Sequence, residues 1–387
     1  MKFTLPSPIL FVLDQLNRAG YEAYVVGGCV RDSLLGNIPL DWDVTTSALP
    51  LQTIEVFQDC RKLDNGIKHG TVTVFVEDIP VEITTYRVDG DYSDHRRPDS
   101  VSFSSSLNED LKRRDFTINA MAYHPKYGLI DPYDGQNDLQ KRIIRCVGDP
   151  QKRFGEDALR ILRAIRFSSV LGFDIHKDTE AAIHQLRTTL TKVAIERVQV
   201  ELRKWLCGKP DKTLLIYRDV LSVILPMINW HNVEIPPLDT AENSTEIRLS
   251  LLLYNCSLES ILSALQHLRM SNQTTKFIHS IAECKGWSIH NDKALLLLLN
   301  RLGSEAANRY LEIRSSIENV EFAQRRLKEL IEENKCYSIK QLAVSGEDLL
   351  RSGIPAGPAV GETLQRLLML VIDEQCKNHK KELLLHI

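Results

Sequence analysis

Tyr24-Val25-Val26-Gly27-Gly28-Cys29-Val30-Arg31-Asp32 is followed shortly by Leu40-Asp41-Trp42-Asp43-Val44, and the reading of these two stretches decides the fold. A short β-branched run entering a Gly-Gly turn reads as a strand, and Val30–Leu35 as the helix after it. Free backbone N–H groups at such a turn suit a phosphate. In a strand, side chains at i and i+2 share a face, so Asp41 and Asp43 would stand side by side. Like charges that close are costly unless a divalent cation joins them. A phosphate cradle and a two-carboxylate site about a dozen residues apart point to a nucleoside triphosphate held for phosphoryl transfer. The plainer alternative is an Asp-rich edge strand beside an ordinary glycine turn.

Working outward, the first ~140 residues alternate helix and strand. A helix is expected near Pro8–Ala19, the Tyr24–Val26 strand follows, and β-branched strands are expected over Thr71–Val76 and Val81–Tyr86. After Asp149-Pro150 helical periodicity takes over, in Glu156–Val170, Lys177–Leu186, Ile195–Leu206, Thr245–Tyr254, Leu258–Leu268, Asn308–Asn334 and Gly361–Asp373. Pro236-Pro237 and Asn243-Ser244 read as a loop or joint. The expected fold is thus an α/β head followed by a long all-α body.

Composition narrows the class. At 387 residues, 43% of them hydrophobic, the chain can build several cores. No apolar run approaches the ~20 residues of a membrane span, and the N-terminus lacks the apolar core of a signal peptide. The eight cysteines are scattered with no CxxC pair, which suits a reducing cytoplasm better than a zinc site or a disulfide framework. The net charge of −3 hides an asymmetry. Residues 111–210 carry 19 Lys and Arg against 12 Asp and Glu, about +7, leaving about −10 elsewhere. A basic middle is what a local RNA channel needs, although a solvated helical surface has the same count.

Three further segments carry chemistry. Val81-Glu82-Ile83-Thr84 could set a third acid, Glu82, beside the aspartates, or simply be an amphipathic strand with a surface Glu. Lys112-Arg113-Arg114-Asp115-Phe116-Thr117-Ile118-Asn119-Ala120-Met121-Ala122 brings a basic cluster into an apolar run. Arg114 could neutralise triphosphate or sugar oxygens, and Asp115 and Asn119 could brace the site; a charged strand or helix start is the plainer reading. Glu156-Asp157-Ala158-Leu159-Arg160-Ile161-Leu162-Arg163-Ala164-Ile165-Arg166 sets Asp157, Arg160, Arg163 and Arg166 at i+3 steps on one helical stripe. Three stacked arginines repel one another unless something anionic arrives. An Asp157–Arg160 salt bridge is the purely structural alternative.

Taken in order, the opening motif and two of these segments closely resemble class II tRNA nucleotidyltransferases: Gly-Gly-Cys-Val-Arg-Asp with Asp-Trp-Asp, then Arg-Arg-Asp-Phe-Thr-Ile-Asn-Ala-Met-Ala, then Glu-Asp-Ala-Leu-Arg-Ile-Leu-Arg-Ala-Ile-Arg-Phe. These are the bacterial and eukaryotic CCA-adding enzymes, with bacterial poly(A) polymerases as close relatives. Ile195-Glu196-Arg197 with Glu201-Leu202, Ser345-Gly346-Glu347-Asp348-Leu349 and Gly357-Pro358-Ala359-Val360-Gly361 extend the likeness over nearly the whole chain, weakest across 211–340.

The resemblance implies a seahorse-like fold: an α/β nucleotidyltransferase head over 1–145, then an all-α neck (146–208), body (209–290) and tail (291–387). It implies Mg²⁺ at Asp41 and Asp43, triphosphate at Gly28 and Arg31, and sugar and phosphates at Arg114. Asp157 and Arg160 would read the incoming base, with Arg163 and Arg166 in support. It implies addition of C, C and A to the tRNA 3′ end from CTP and ATP with release of pyrophosphate, in the cytoplasm, and a homodimer. Rivals are an A-adding-only enzyme, a poly(A) polymerase, and a catalytically silent RNA-binding protein. A CC-only enzyme would lack part of the loop that here runs from Arg87 to Pro98, rich in Gly, Asp and Arg and expected to be mobile.

Base reading also has a chemical rationale. Cytosine and adenine each present an amino donor beside a ring-nitrogen acceptor. A carboxylate beside a guanidinium is the matching pair. Uracil and guanine present the reverse order and would leave buried groups unpaired. No nucleic-acid template is needed.

Overall fold

The computed structural model describes residues 4–64, 66–90 and 101–387. Of the Arg87–Pro98 loop, residues 91–98 lie outside them. The chain forms two compact units, Met1–Pro226 and Met227–Ile387, and the division falls at the start of the irregular stretch that holds Pro236-Pro237 and Asn243-Ser244.

The first unit is built on a mixed seven-stranded sheet. Helix α1, Ser7–Arg18, places Ile9, Val12, Leu13 and Leu16 in the core at helical spacing. The strands are β1 (Ala23–Val26), β2 (Asp43–Thr46), β3 (Lys62–Leu63), β4 (Thr71–Val76), β5 (Ile79–Thr85), β6 (Ala122–His124) and β7 (Gly128–Ile130), in the order β3-β4-β5-β2-β1-β6-β7. All four β1 residues are buried, as a central strand requires. It delivers the chain to helix α2, Gly28–Leu34. Strand β2 runs antiparallel to β1 and parallel to β5, with Asp43 in register with Glu82. Asp43 is the exposed first residue of an otherwise buried strand. Asp41 differs from the expectation: it lies in a bend before β2, not within the strand.

The helix expected over Glu156–Val170 instead begins on the last residue of α3 (Pro150–Glu156), breaks at Asp157 and continues as α4 (Leu159–Leu171). Two local hydrogen bonds explain this. Asp149 caps α3 by accepting from the Gln151 N–H at 2.9 Å, with Pro150 at the first helical position. Asp157, extended at φ −135° and ψ 104°, then accepts from the Leu159 N–H at 3.0 Å, an Asx-type turn that competes with helix. Asp157 therefore sits at the head of α4 rather than along its stripe. Helix α5, Ile195–Leu206, packs beside α4.

The second unit is helical throughout, from Thr245–Leu252 to Lys380–Leu384. The stretch expected as one helix over 308–334 is instead the end of Asp292–Ser315 and then Glu321–Glu332. Between them Asn319 accepts from the Glu321 N–H at 3.0 Å, again an Asx turn. No described helix is long and apolar enough to cross a membrane.

Candidate active site

A cavity of about 200 Å³ opens at the rim of the sheet, lined by Val26, Asp43, Val44, Thr71, Glu82, Thr84, Arg87, Arg113 and Arg114. The β2–β5 register sets the Asp43 and Glu82 carboxylates on neighbouring strands. Asp43 keeps one face open to solvent. The protein packed around it nevertheless pushes its carboxyl up to about 6; the Arg114 guanidinium opposes the rise, while Glu82 and Asp41 add to it. Gly27 shows why glycine precedes α2. Its φ is +81°, and a Cβ there would lie 3.1 Å from an Arg114 guanidinium nitrogen and 4.0 Å from the Asp43 carboxylate. At Gly28 a Cβ would meet only Arg31 Nη2, at 3.6 Å, so packing alone does not demand glycine there.

Among the described residues no three His, Cys, Asp or Glu side chains converge as a ready metal cage. The donors at the rim are nonetheless carboxylate oxygens, and Glu82 and Asp41 both add to the raised proton affinity of Asp43. That chemistry fits a hard divalent cation completed by substrate phosphates.

The cationic wall has a keystone that the sequence reading missed. Asp110, fully buried, accepts from Arg113 Nε and Nη2 at 3.0 and 2.7 Å, from Arg114 Nη2 at 3.2 Å and from Thr45 Oγ1 at 3.2 Å. Burial alone would raise its pKa, but Arg114 and Arg113 hold it below the usual carboxylate range. One buried charge thus fixes two guanidinium groups against the strand that carries Asp43. The signal was present: Asp110 lies three and four residues before Arg113 and Arg114 on a helical start.

A second network ties α2 to α4. Arg31 donates to both Asp32 oxygens at 2.8 and 3.0 Å and to Asn119 Oδ1 at 2.7 Å. Asn119 donates to Asp115 Oδ1 at 3.1 Å, and Arg163 grips Asp115 Oδ2 through Nε and Nη2 at 2.8 and 2.6 Å. Arg31, Arg163 and Arg166 surround the Phe167 ring at 5.1, 5.4 and 4.1 Å. The α4 arginines need no outside anion to coexist. Arg160 meets Glu156 at 2.7 Å, Arg163 meets Asp115, and Arg166 lies 2.9 Å from Glu201. Asp157 Oδ2 accepts from Arg197 at 3.0 Å, while Arg160 also donates to the carbonyls of Arg153 and Arg113 at 3.0 and 3.1 Å. The structure thus brings Asp43, Glu82 and Arg114 to one cavity and links Arg31 to Arg163; Asp157 and Arg160 stand at the α3–α4 break.

Asp115 yields a prediction. Burial would raise its carboxyl, but Arg163 and Asn119 hold it down at about 2. A depressed acid contributes stability above its unfolded pKa of ~3.9 and loses it as pH falls through the folded value. The contribution is about 2–3 kcal/mol at neutral pH, roughly half of it gone by pH 3. Denaturant unfolding should therefore show a constant stability gap between wild type and Asp115→Asn from pH 7 to 5 that narrows below about pH 4. A gap equally large at pH 3 would mean that Asp115 acts by shape rather than charge.

Comparison with known proteins places these sites in context. Residues 23–145 match the poly A polymerase head domain, 172–230 the probable RNA- and SrmB-binding site of polymerase A, and 240–387 a tRNA nucleotidyltransferase domain 2. The chain is 37% identical to the CCA-adding enzyme of Geobacillus kaustophilus, covering 97% of this chain and 94% of that one. It is 38% identical to the CCA-adding enzyme of Levilactobacillus brevis, covering 99% and 96%. The crystal structure of the Bacillus stearothermophilus CCA-adding enzyme in complex with CTP superposes with a TM-score of 0.82 at 32% identity, covering 99% and 97%. The Thermotoga maritima CCA-adding enzyme complexed with tRNA aligns at 0.67 and 25% identity, over 99% and 95%.

Proposed function

We infer the reaction from one premise: the chain belongs to the CCA-adding enzyme family. It adds C, C and A to the tRNA 3′ end from CTP and ATP, releases pyrophosphate, and takes no instruction from a nucleic-acid template. The observation that carries the chemistry is the cavity in which Asp43 and Glu82 stand in register opposite Arg113 and Arg114.

Asp41 and Asp43 would hold the divalent ion, Mg²⁺ in this reading, with Glu82 beside them. Bound there, the ion supplies acidification of the tRNA 3′-hydroxyl and charge neutralisation on the leaving pyrophosphate. Arg114, and Arg113 beside it, would bind phosphate and sugar oxygens, their guanidinium planes fixed by Asp110. Gly28 opens α2 where a phosphate can approach the backbone, and Arg31 faces it from the next turn. Asp157 and Arg160 would take the Watson–Crick edge of the incoming base, with Arg163 and Arg166 braced by Asp115 and Glu201 behind them. The head, neck, body and tail divisions at 145, 208 and 290, a cytoplasmic location and a homodimer complete the proposal.

Incubation with tRNA ending at its discriminator base and with tRNA-CC, each with CTP or ATP alone, tests the reaction. CTP should extend the first by two residues and ATP the second by one. Extension of tRNA-CC alone would mark an A-adding enzyme instead.

A further inference from the structure

Ile38 and Leu40, 91% and 101% exposed, are the most exposed large hydrophobic side chains among the described residues. Single exposed aliphatics are common. Two of them one residue apart, immediately before the Asp41–Asp43 acids, are a different matter. Neither contributes to a core, so folding does not account for them.

Their loop is held at both ends. The chain leaves α2 through Leu35 N–H to Arg31 O at 3.0 Å, Gly36 N–H to Ser33 O at 3.1 Å and Asn37 N–H to Asp32 O at 2.9 Å. Gly36 takes the left-handed conformation at φ +79° that ends a helix. Pro39 fixes its own φ and disfavours helix at Ile38, so the chain does not continue α2 and crosses to β2 in irregular backbone. Strand β2 anchors the far end.

We propose that Ile38 and Leu40 form an apolar platform for the 3′-terminal nucleotide of the tRNA acceptor end. The proposal rests on the reading of the reaction given above and deepens it. Reaction requires the RNA 3′ oxygen within ~3–3.5 Å of the phosphorus held beside the acids. Leu40 and Ile38 are one and three residues from Asp41, within about 4 and 11 Å by chain geometry. The two side chains are thus within reach of the nucleotide that carries that oxygen. The chemistry of the surface suits this occupant. The terminal base is the discriminator, then C, then C as addition proceeds, so a site that read base edges would fail at one step or another. Contact with a base or ribose face is indifferent to sequence. An acid here would repel the RNA, and a base would compete for the carboxylates; aliphatic side chains do neither.

The test is steady-state addition with Ile38→Ser, Leu40→Ser and the double variant, on tRNAs ending at each of the four discriminator bases and on tRNA-C and tRNA-CC. The double variant should lose about five- to thirtyfold in kcat/KM for tRNA, by similar factors on every acceptor. KM for CTP should stay within about twofold and the melting temperature should not move. Leu40→Met and Leu40→Phe should retain wild-type use of tRNA. Unchanged tRNA kinetics in the double variant overturns the platform. So does a double variant that loses only self-association in sedimentation, which would make this face an interface between copies of the chain. An inactive wild-type chain would instead defeat the underlying reading, and the platform with it; an active wild type beside an unaffected double variant defeats the platform alone.

Discussion

Asp43→Ala and Asp41→Ala should each lower nucleotide addition by about a thousandfold or more while the protein stays folded. Each removes half of the carboxylate pair proposed to hold the divalent ion on which metal-assisted chemistry depends. Stability should move the other way. The Asp43 carboxyl titrates near 6 because burial, Glu82 and Asp41 disfavour its charge more than Arg114 favours it. The native protein at neutral pH thus carries an anion that it would sooner protonate, and deleting it relieves repulsion. Melting in chelator should hold or rise in both variants. A metal-dependent rise in melting temperature, present in wild type, should vanish in both. Residual addition within about tenfold of wild type would sink the assignment. Glu82→Gln then sorts the third acid: a loss comparable to that of Asp43→Ala puts it among the ligands, and a small one leaves it a neighbour that tunes Asp43.

The residues behind that prediction were legible in the sequence for a physical reason. A β-branched run ending in Gly-Gly is a local pattern and survives into the fold as β1 and the turn into α2, whereas the two acids at i and i+2 survive only in part, Asp43 opening β2 and Asp41 lying in the bend before it. The register that sets Asp43 against Glu82 was foreseen as chemistry but not as parallel pairing, which depends on strands 39 residues apart in the chain. The α4 arginines show the limit more sharply. Their i+3 spacing was read as a stripe awaiting an anion, yet Arg163 finds Asp115, 48 residues back, and Arg166 finds Glu201 on α5. Periodicity reports which face a side chain occupies, not what another element brings to it. The break at Asp157 was hidden for a related reason. The periodicity read from Glu156 onward runs straight through it, and the Asx bond to the Leu159 N–H is what turns the chain there.

That break reshapes the test of base reading. Asp157→Ala should raise UTP incorporation relative to CTP by roughly tenfold or more, since each corrected mismatch is worth ~1–3 kcal/mol, while metal dependence stays unchanged. The acceptor that faces the amino group of C and A is also what repels the carbonyl edge of U and G. Arg160→Ala should instead depress CTP and ATP together, because both bases need the donor. The same carboxylate, however, holds Arg197 at 3.0 Å and turns the chain into α4. Asp157→Ala should therefore also cost about 1 kcal/mol or more in stability, and a lowered melting temperature alone proves nothing about bases. Arg197→Ala separates the two roles. It removes the ion-pair partner and keeps the acceptor, so it should weaken the fold and leave nucleotide choice near wild type. Rates with the four nucleotides on one tRNA, beside melting curves for the three variants, decide between them. Relaxed choice in Asp157→Ala but not in Arg197→Ala assigns the acceptor to the base. Equal relaxation in both would mean that the ion pair merely shapes the pocket, and no relaxation in either would move base reading away from the α3–α4 break.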